Sequence, residues 1–241
     1  AYYEAKLRPF RFSLPRPGAT LQEIANKFSL PDTVETIENI SPLSNDHLLL
    51  GNEQLPLSSL AETFREGPHL SCLRNAIAGV AMLIQSPPSA DIVADVVNSY
   101  QGLPSRQEIV PSKDGRRWVN DALATIPEAV IHALSRFRQD HVHLLLGGAD
   151  RGQNFTALAS TISSAPNIIP LVFGSIAEKL DRVFTDQDIP FNRCESYEDA
   201  LSLAALVAPK GSVILFSPAA ASEAPHANYV ERADIFRTAA A

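Results

Sequence analysis

The chain has 241 residues, 45% hydrophobic, 20% charged and 7% aromatic, which is enough for one large core or two modest ones and excludes a disordered chain. Its formal net charge of -7 argues against nucleic acid or an anionic membrane as partner, because either would demand a basic footprint, so an anionic ligand must meet local arginines. Two cysteines, Cys72 and Cys194, cannot build a disulfide framework, and no apolar run has the length of a membrane span or a signal-peptide core, so a cytoplasmic location is expected.

The opening stretch AYYEAKLRPF has a helix-like pattern with no initiator methionine, and is read as the start of a piece of something longer. Prolines are then scattered (Pro9, Pro15, Pro17, Pro31, Pro42, Pro56, Pro68), which suits short strands and irregular connections. In HLLLGNEQLPL two apolar runs flank Gly51 and Asn52, the pattern of a hairpin. RNAIAGVAMLI and SADIVADVVNSY read as helices, the second with Ser89 as cap and Ile92, Val93, Val96, Val97 and Tyr100 on one face. QGLPSR breaks that pattern, and the domain boundary is placed there, between residues 1–101 and 102–241.

Regular alternation follows. RRWVND reads as a strand, and Pro127 opens a helix carrying Val130, Ile131, Leu134 and Phe137. VHLLL is a fully apolar strand, followed by Gly147 and Gly148 and a helix near ALASTIS; His141 and His143 in HVH read as an edge-strand feature. After the strand IIPLVF, Ser175 and Glu178 stand at capping-box spacing before another helix. Ser196 precedes the helix YEDALSLAALV, and the strand VILF precedes the terminal helix YVERADIFRTA. Apolar strands separated by helices define an α/β fold with a mostly parallel sheet covered on both faces.

Ligands of such sheets gather at the carboxyl ends of the strands. NDALAT, GGADRGQNF and SPAAAS fall there, and the tiny residues Ala219 to Ser222 and Ala224 would let a ligand approach the backbone. Each signal alone has a plainer reading: the glycine pair as a turn, Thr125 and Ser222 as helix caps, Asp121 as a cap or ion-pair partner, and Arg151 as a solvated loop residue.

Taken in order, GLPSRQEIV, WVNDALATIP, HLLLGGADRGQNF and SPAAASEAPHANYVERADIF resemble the carboxyl-terminal domain of the Mur ligases, most closely of the D-glutamate-adding type. That family reads GLPHR, NDSKATNP, LLLGGxDKGxDF and SPAxASxDxFxNFxxRG at these places. Upstream, YYEAKLRPF is similar to the family's YxxAKxxIF, and GPHLSCLRNAIAGV to its GxHNxxNALAA helix. The resemblance implies a Rossmann-like carboxyl-terminal domain at 102–241, the second half of a central ATP-binding domain at 1–101, and further ligase domains upstream. It implies ATP and magnesium as cofactors, and a UDP-muramoyl peptide precursor and D-glutamate as substrates: ATP phosphorylates a carboxylate, and the amine attacks the acyl phosphate to form an amide.

By the same resemblance Lys6 matches the catalytic lysine that becomes carbamylated and helps hold magnesium, and Arg106, Asp121 and Asn75 fall at nucleotide-binding places. Thr125, Arg151, Ser222 and the backbone near Tyr229 fall where the amino acid is gripped, with Arg151 standing for a family lysine, while Asn228 and Arg232 brace the last loop. NDALATI departs from the pattern at Ala122, Leu123 and Ile126, and no GxxxxGK[ST] phosphate loop is present in the chain. Two expectations stay open: the carboxyl-terminal portion of an acid–amino-acid ligase, inactive alone, or a non-catalytic ligand-binding or regulatory module derived from one.

Overall fold

The structure, a computed structural model, describes residues 19–20, 35–36, 43–44, 46–61, 64–65, 67–84, 86–100 and 102–241. The chain divides into two compact units, Ala1–Tyr100 and Gln101–Ala241.

In the first unit β1 (Ala19–Thr20) and β2 (Glu35–Thr36) pair in parallel, and β3 (Leu43–Ser44), β4 (His47–Leu50) and β5 (Glu53–Pro56) form an antiparallel sheet. The hairpin expected at Gly51 and Asn52 is present: Leu50 pairs with Glu53, and Gly51 takes φ +63°, in the region that favours glycine. Helices α1 (Gly67–Ile84) and α2 (Ala90–Ser99) follow. Leu48, Leu50 and Leu55 of the sheet share a core with Leu73 and Ile77 of α1 and with Val93 and Val97 of α2.

Two readings of α2 need correction. Only Val93 and Val97, one turn apart, are buried, whereas Ile92, Val96 and Tyr100 are exposed, because the small core beneath covers a single i, i+4 ridge. Ser89 makes no side-chain cap; Glu53 Oε2 instead accepts the Ala90 N–H at 2.7 Å. The hairpin thus supplies a negative charge to the positive end of the helix.

The second unit is built on six strands: β6 (Glu108–Val110), β7 (Arg117–Asn120), β8 (Val142–Gly147), β9 (Ile168–Phe173), β10 (Asn192–Arg193) and β11 (Val213–Phe216). Their spatial order is β10-β9-β8-β11-β7-β6, parallel throughout except for β6, which runs antiparallel to β7. One face packs against α3 (Pro127–Arg136), α4 (Thr156–Ser163) and α5 (Ala177–Thr185), with Val142, Leu144 and Leu146 meeting Val130, Leu158 and Leu180. The other packs against α6 (Tyr197–Val207) and α7 (Tyr229–Ala240), where Trp118, Leu145 and Phe216 meet Leu201, Ala233 and Phe236. Both faces of β8 are therefore dry, which is why its sequence is a continuous apolar run rather than an alternating one. Pro127 opens α3 as expected, since its missing N–H lies where no helical partner exists.

The HVH reading is corrected by the sheet order. β8 lies between β9 and β11, not at an edge, and His143 is buried within it, with burial, aided by His141 and Arg116, pulling its pKa below the ordinary imidazole value. The two short strands β6 and β10 carry no sequence signal that the periodicity reading detects, because each is too short to show a period. Among the described residues no helix is long and apolar enough to cross a membrane.

Candidate functional site

Because β7, β8 and β11 are adjacent and parallel, the segments that follow them leave from one edge of the sheet. Thr125 lies after β7, Arg151 after β8 and Ser222 after β11, so the topology brings all three loops to the same rim. The second and third loops are joined directly. Ala149 donates its N–H to Ala221 O at 2.9 Å in an antiparallel bridge, and Gly147 donates to Pro218 O at 3.0 Å.

Small residues make this approach possible. A Cβ on Gly148, whose φ is +137°, would fall 2.2 Å from Ala221 O, and one on Gly147 would fall 2.3 Å from the Phe173 ring. The glycine pair thus serves neither a phosphate loop nor a mere turn; it lets two loops and an aromatic ring close together. From below, the buried Arg232 of α7 donates to Gly147 O at 3.0 Å and to Ala220 O at 3.3 Å, with its guanidinium 5.3 Å from the Phe216 ring centre. The tiny residues expected to admit a ligand are in fact used, at Ala220 and Ala221, by the protein's own backbone. Ser222 Oγ, beside them, is buried and has no hydrogen-bond partner among the described residues.

On the far side of the rim sits Asp121. Its carboxylate accepts from Ser217 Oγ at 2.8 Å and from the Gln107 N–H at 3.2 Å, tying the last loop and the 102–107 segment to the end of β7. Ser105 and Gln107 both adopt positive φ, +58° and +49°, uncommon for residues with a Cβ, and the segment is held by Leu123 N–H donating to Ser105 O at 3.2 Å. Just beyond, Glu108 takes a two-pronged bond from Arg237 at 3.0 and 2.7 Å, which holds its carboxyl below the ordinary range.

Burial raises the Asp121 carboxyl from 3.8 to about 6, against the Ser217 and Gln107 hydrogen bonds and the Arg106 charge, which pull it down. Between those values the folded protein holds a proton that the unfolded chain has released, so this carboxyl favours folding at low pH and its contribution is lost as pH rises through the window. The loss at full ionisation is roughly 3 kcal/mol. Asp121→Asn keeps the shape without the titration. Urea unfolding followed by fluorescence of Trp118, the chain's only tryptophan and a buried one, should show wild type losing roughly 2 to 3 kcal/mol relative to this variant between pH 4 and pH 7. A difference that stays constant across that range would refute the assignment.

Arg106 and Arg151 are exposed, and neither guanidinium has a hydrogen bond or ion pair among the described residues; the Arg151 N–H donates to Gln153 Oε1 at 2.8 Å. Asp150, next to Arg151, pairs with Lys179 at 2.7 Å. Thr125 makes no side-chain cap, the position before α3 being Ile126. Tyr229 opens α7, whose next two amides, Val230 and Glu231, are taken by the Asn228 side chain at 2.9 and 3.2 Å; Asn228 and not Ser222 is the cap. Asn75 is exposed on α1, in the other unit, and Lys6 lies outside the described residues.

Two polar groups of the rim escaped the sequence reading. Ser175 is no capping-box residue: α5 begins without a side-chain cap, and the Ser175 hydroxyl and amide both bond to Glu223, 48 residues away. His226 bonds to Glu198 of α6 at 2.8 Å. Neither pair has a local pattern that could have revealed it.

No protein-family model matches the chain. It is 27% identical over 98% of its length to the UDP-N-acetylmuramoylalanine–D-glutamate ligase of Aliivibrio fischeri, covering 53% of that protein, and 33% identical over 76% of its length to the enzyme of that name from Salinibacter ruber, covering 38%. The chain thus spans about half the length, or less, of the curated relatives it matches. In structure it is similar to a MurF ligase from Thermotoga maritima in complex with ADP, with a TM-score of 0.62 and 16% identity over 98% of this chain and 57% of that one, a likeness of fold. The chain is thus similar in sequence to UDP-N-acetylmuramoylalanine–D-glutamate ligases and in fold to a Mur ligase.

Proposed function

We propose that the chain is the carboxyl-terminal portion of a cytoplasmic ligase that adds D-glutamate to UDP-N-acetylmuramoyl-L-alanine, with residues 102–241 forming the Rossmann-like domain that delivers the amino acid and residues 1–101 the second half of the ATP-binding domain. The observation that carries this reading is the convergence of the Thr125, Arg151 and Ser222 loops on one sheet edge. Two guanidinium groups there, Arg106 and Arg151, make no hydrogen bond or ion pair among the described residues, and a reaction that gathers a triphosphate, an acyl phosphate and an amino acid needs such cations.

In this reading Arg151 pairs with the side-chain carboxylate of D-glutamate, Thr125, Ser222 and the amide of Tyr229 hold its other polar groups, and Arg106 reaches ATP phosphates beside Asp121. Ser222 Oγ, buried and unpartnered, must turn outward to do so, exchanging an unsatisfied site for a bonded one. Asn75 would contact the nucleotide. ATP supplies the phosphoryl group that turns the acceptor carboxylate into an acyl phosphate; the amine then forms the C–N bond as phosphate leaves. Lys6, which lies outside the described residues, would as its carbamate help hold magnesium, since a carbamate supplies the oxygen a hard cation prefers.

The test is phosphate release by the protein expressed from its full coding sequence, with UDP-N-acetylmuramoyl-L-alanine, D-glutamate, ATP and magnesium present. Release that depends on D-glutamate is expected, and Arg151→Ala should raise KM for D-glutamate by about tenfold to a hundredfold, the value of one charge-assisted bidentate contact, with a smaller effect on kcat. Absence of D-glutamate-dependent release overturns the ligase reading in favour of a binding module. That second reading is favoured by Ala122 and Leu123, which put a fully buried methyl and an apolar side chain where the family pattern has serine and lysine.

A further inference from the structure

Glu223 stands one residue beyond Ser222 and is fixed more firmly than a loop carboxylate requires. Its Oε1 accepts the Ser175 N–H at 2.9 Å, and its Oε2 accepts the Ser175 hydroxyl. The turn that carries Ser175 is shaped around this carboxylate: Gly174 has φ +72°, and a Cβ there would fall 2.1 Å from Glu223 Oε1. A side chain on residue 174 would therefore expel Glu223. The last loop is held at two further points, by the Ala149–Ala221 bridge before Ser222 and by the His226–Glu198 contact at 2.8 Å after it. Glu223 also bears on the buried Arg232, whose ordinary pKa is lowered by burial and supported by Tyr197 and by the Glu223 charge.

Ser222 thus lies between an attachment to the β8 loop and an attachment to the β9–α5 turn. A two-point hold fixes the direction of the intervening peptide, which a single bridge would leave free to rotate. We propose that Glu223 is a positioning residue, a carboxylate clamp on Ser175 that sets the orientation of the Ser222 peptide for its amino-acid ligand. The proposal rests on the reading that Ser222 meets the amino acid. It goes beyond it in naming a group that touches no substrate, and a neighbouring strand's turn, as what fixes that contact.

The test uses the whole 241-residue chain, isotopically labelled, with D-glutamate as the probe in an NMR titration and amide hydrogen exchange measured in parallel. Glu223→Ala should weaken D-glutamate binding by about tenfold and speed exchange at the Ser175 and Ser222 amides by at least that factor. Glu223→Gln keeps an acceptor for the Ser175 amide and should stay within about threefold of wild type in both readouts. Ser175→Ala loses only the hydroxyl bond and should fall between them, and the Glu223→Ala, Ser175→Ala double variant should be no weaker than Glu223→Ala alone, since both remove one clamp. Undiminished affinity in Glu223→Ala, or an equal loss in Glu223→Gln, overturns the proposal. If wild type itself shows no D-glutamate shifts, the contact between Ser222 and the amino acid is refuted for this chain, while the ligase reading stands or falls on phosphate release by the full coding sequence, and the exchange rates still decide the clamp: unchanged protection at Ser175 and Ser222 in Glu223→Ala refutes it, and faster exchange in that variant alone supports it.

Discussion

Replacing Gly148 by alanine should unfold the rim before anything else in the second unit. The new Cβ would lie 2.2 Å from Ala221 O and 3.2 Å from Ala220 Cβ, and the backbone would have to keep φ at +137°. The first contact is with a carbonyl, not the end of a mobile side chain, so relief requires the two loops to part and the Ala149–Ala221 bridge to break. Adding backbone strain of about 1 to 3 kcal/mol to about 1 to 3 kcal/mol for a lost buried hydrogen bond gives an expected destabilisation of about 2 to 6 kcal/mol. Gly152→Ala is the control: φ there is +80°, but nothing lies within 4 Å of the added Cβ, so only the conformational cost of about 1 kcal/mol applies. Urea unfolding read by Trp118 fluorescence separates the two, and equal midpoints for both variants would show that the loops do not meet as described.

Arg232→Met should cost nearly as much, for a different reason. Its guanidinium satisfies two carbonyls, Gly147 O and Ala220 O, that are sealed from water between α7 and the sheet edge. Hydrogen bonds from a charged donor contribute about 1.5 to 3 kcal/mol each, and removing the donor leaves both acceptors bare. Against this stands the relief of a buried cation, whose desolvation is itself unfavourable by several kcal/mol. The carbonyls cannot reach water without opening the rim, so the loss wins, and a net destabilisation of about 2 to 4 kcal/mol is expected in the same unfolding assay. Arg232→Lys should recover less than half of it, because one ammonium on a flexible stem does not span two carbonyls as a planar fork does. A neutral or stabilising Arg232→Met would mean that the cation's burial outweighs its bonds, and the brace would be refuted. Both variants move Ser222, so both should also weaken any ligand held at the rim.

These two effects mark the line between what one-dimensional pattern reveals and what it hides. The runs VHLLL, IIPLVF and VILF were legible as strands because each is buried on both faces, and a residue that must be apolar whichever way it points leaves no ambiguity. Pro127 and Ser196 were legible as helix starts because their effect is local: one fixes its own φ, and the other accepts the Asp199 N–H three residues on. Ser175 followed the same local rule and misled, since its hydroxyl found a carboxylate from another strand's loop before it could cap its own helix. Ser89 was displaced likewise by Glu53.

By itself, then, the sequence determined the order of the long apolar strands and the helices of the second unit and the motif-bearing loops between them, because hydrophobic period, proline and capping act within a few residues. Tertiary structure alone decided that β8 is central rather than marginal, that Gly148 makes room for a carbonyl, and that Arg232 and Glu223 hold the rim from below and from the side. Those outcomes depend on which strand lies beside which, and a hydrogen bond between residues tens of positions apart is specified by packing of the whole sheet rather than by any neighbour in the chain.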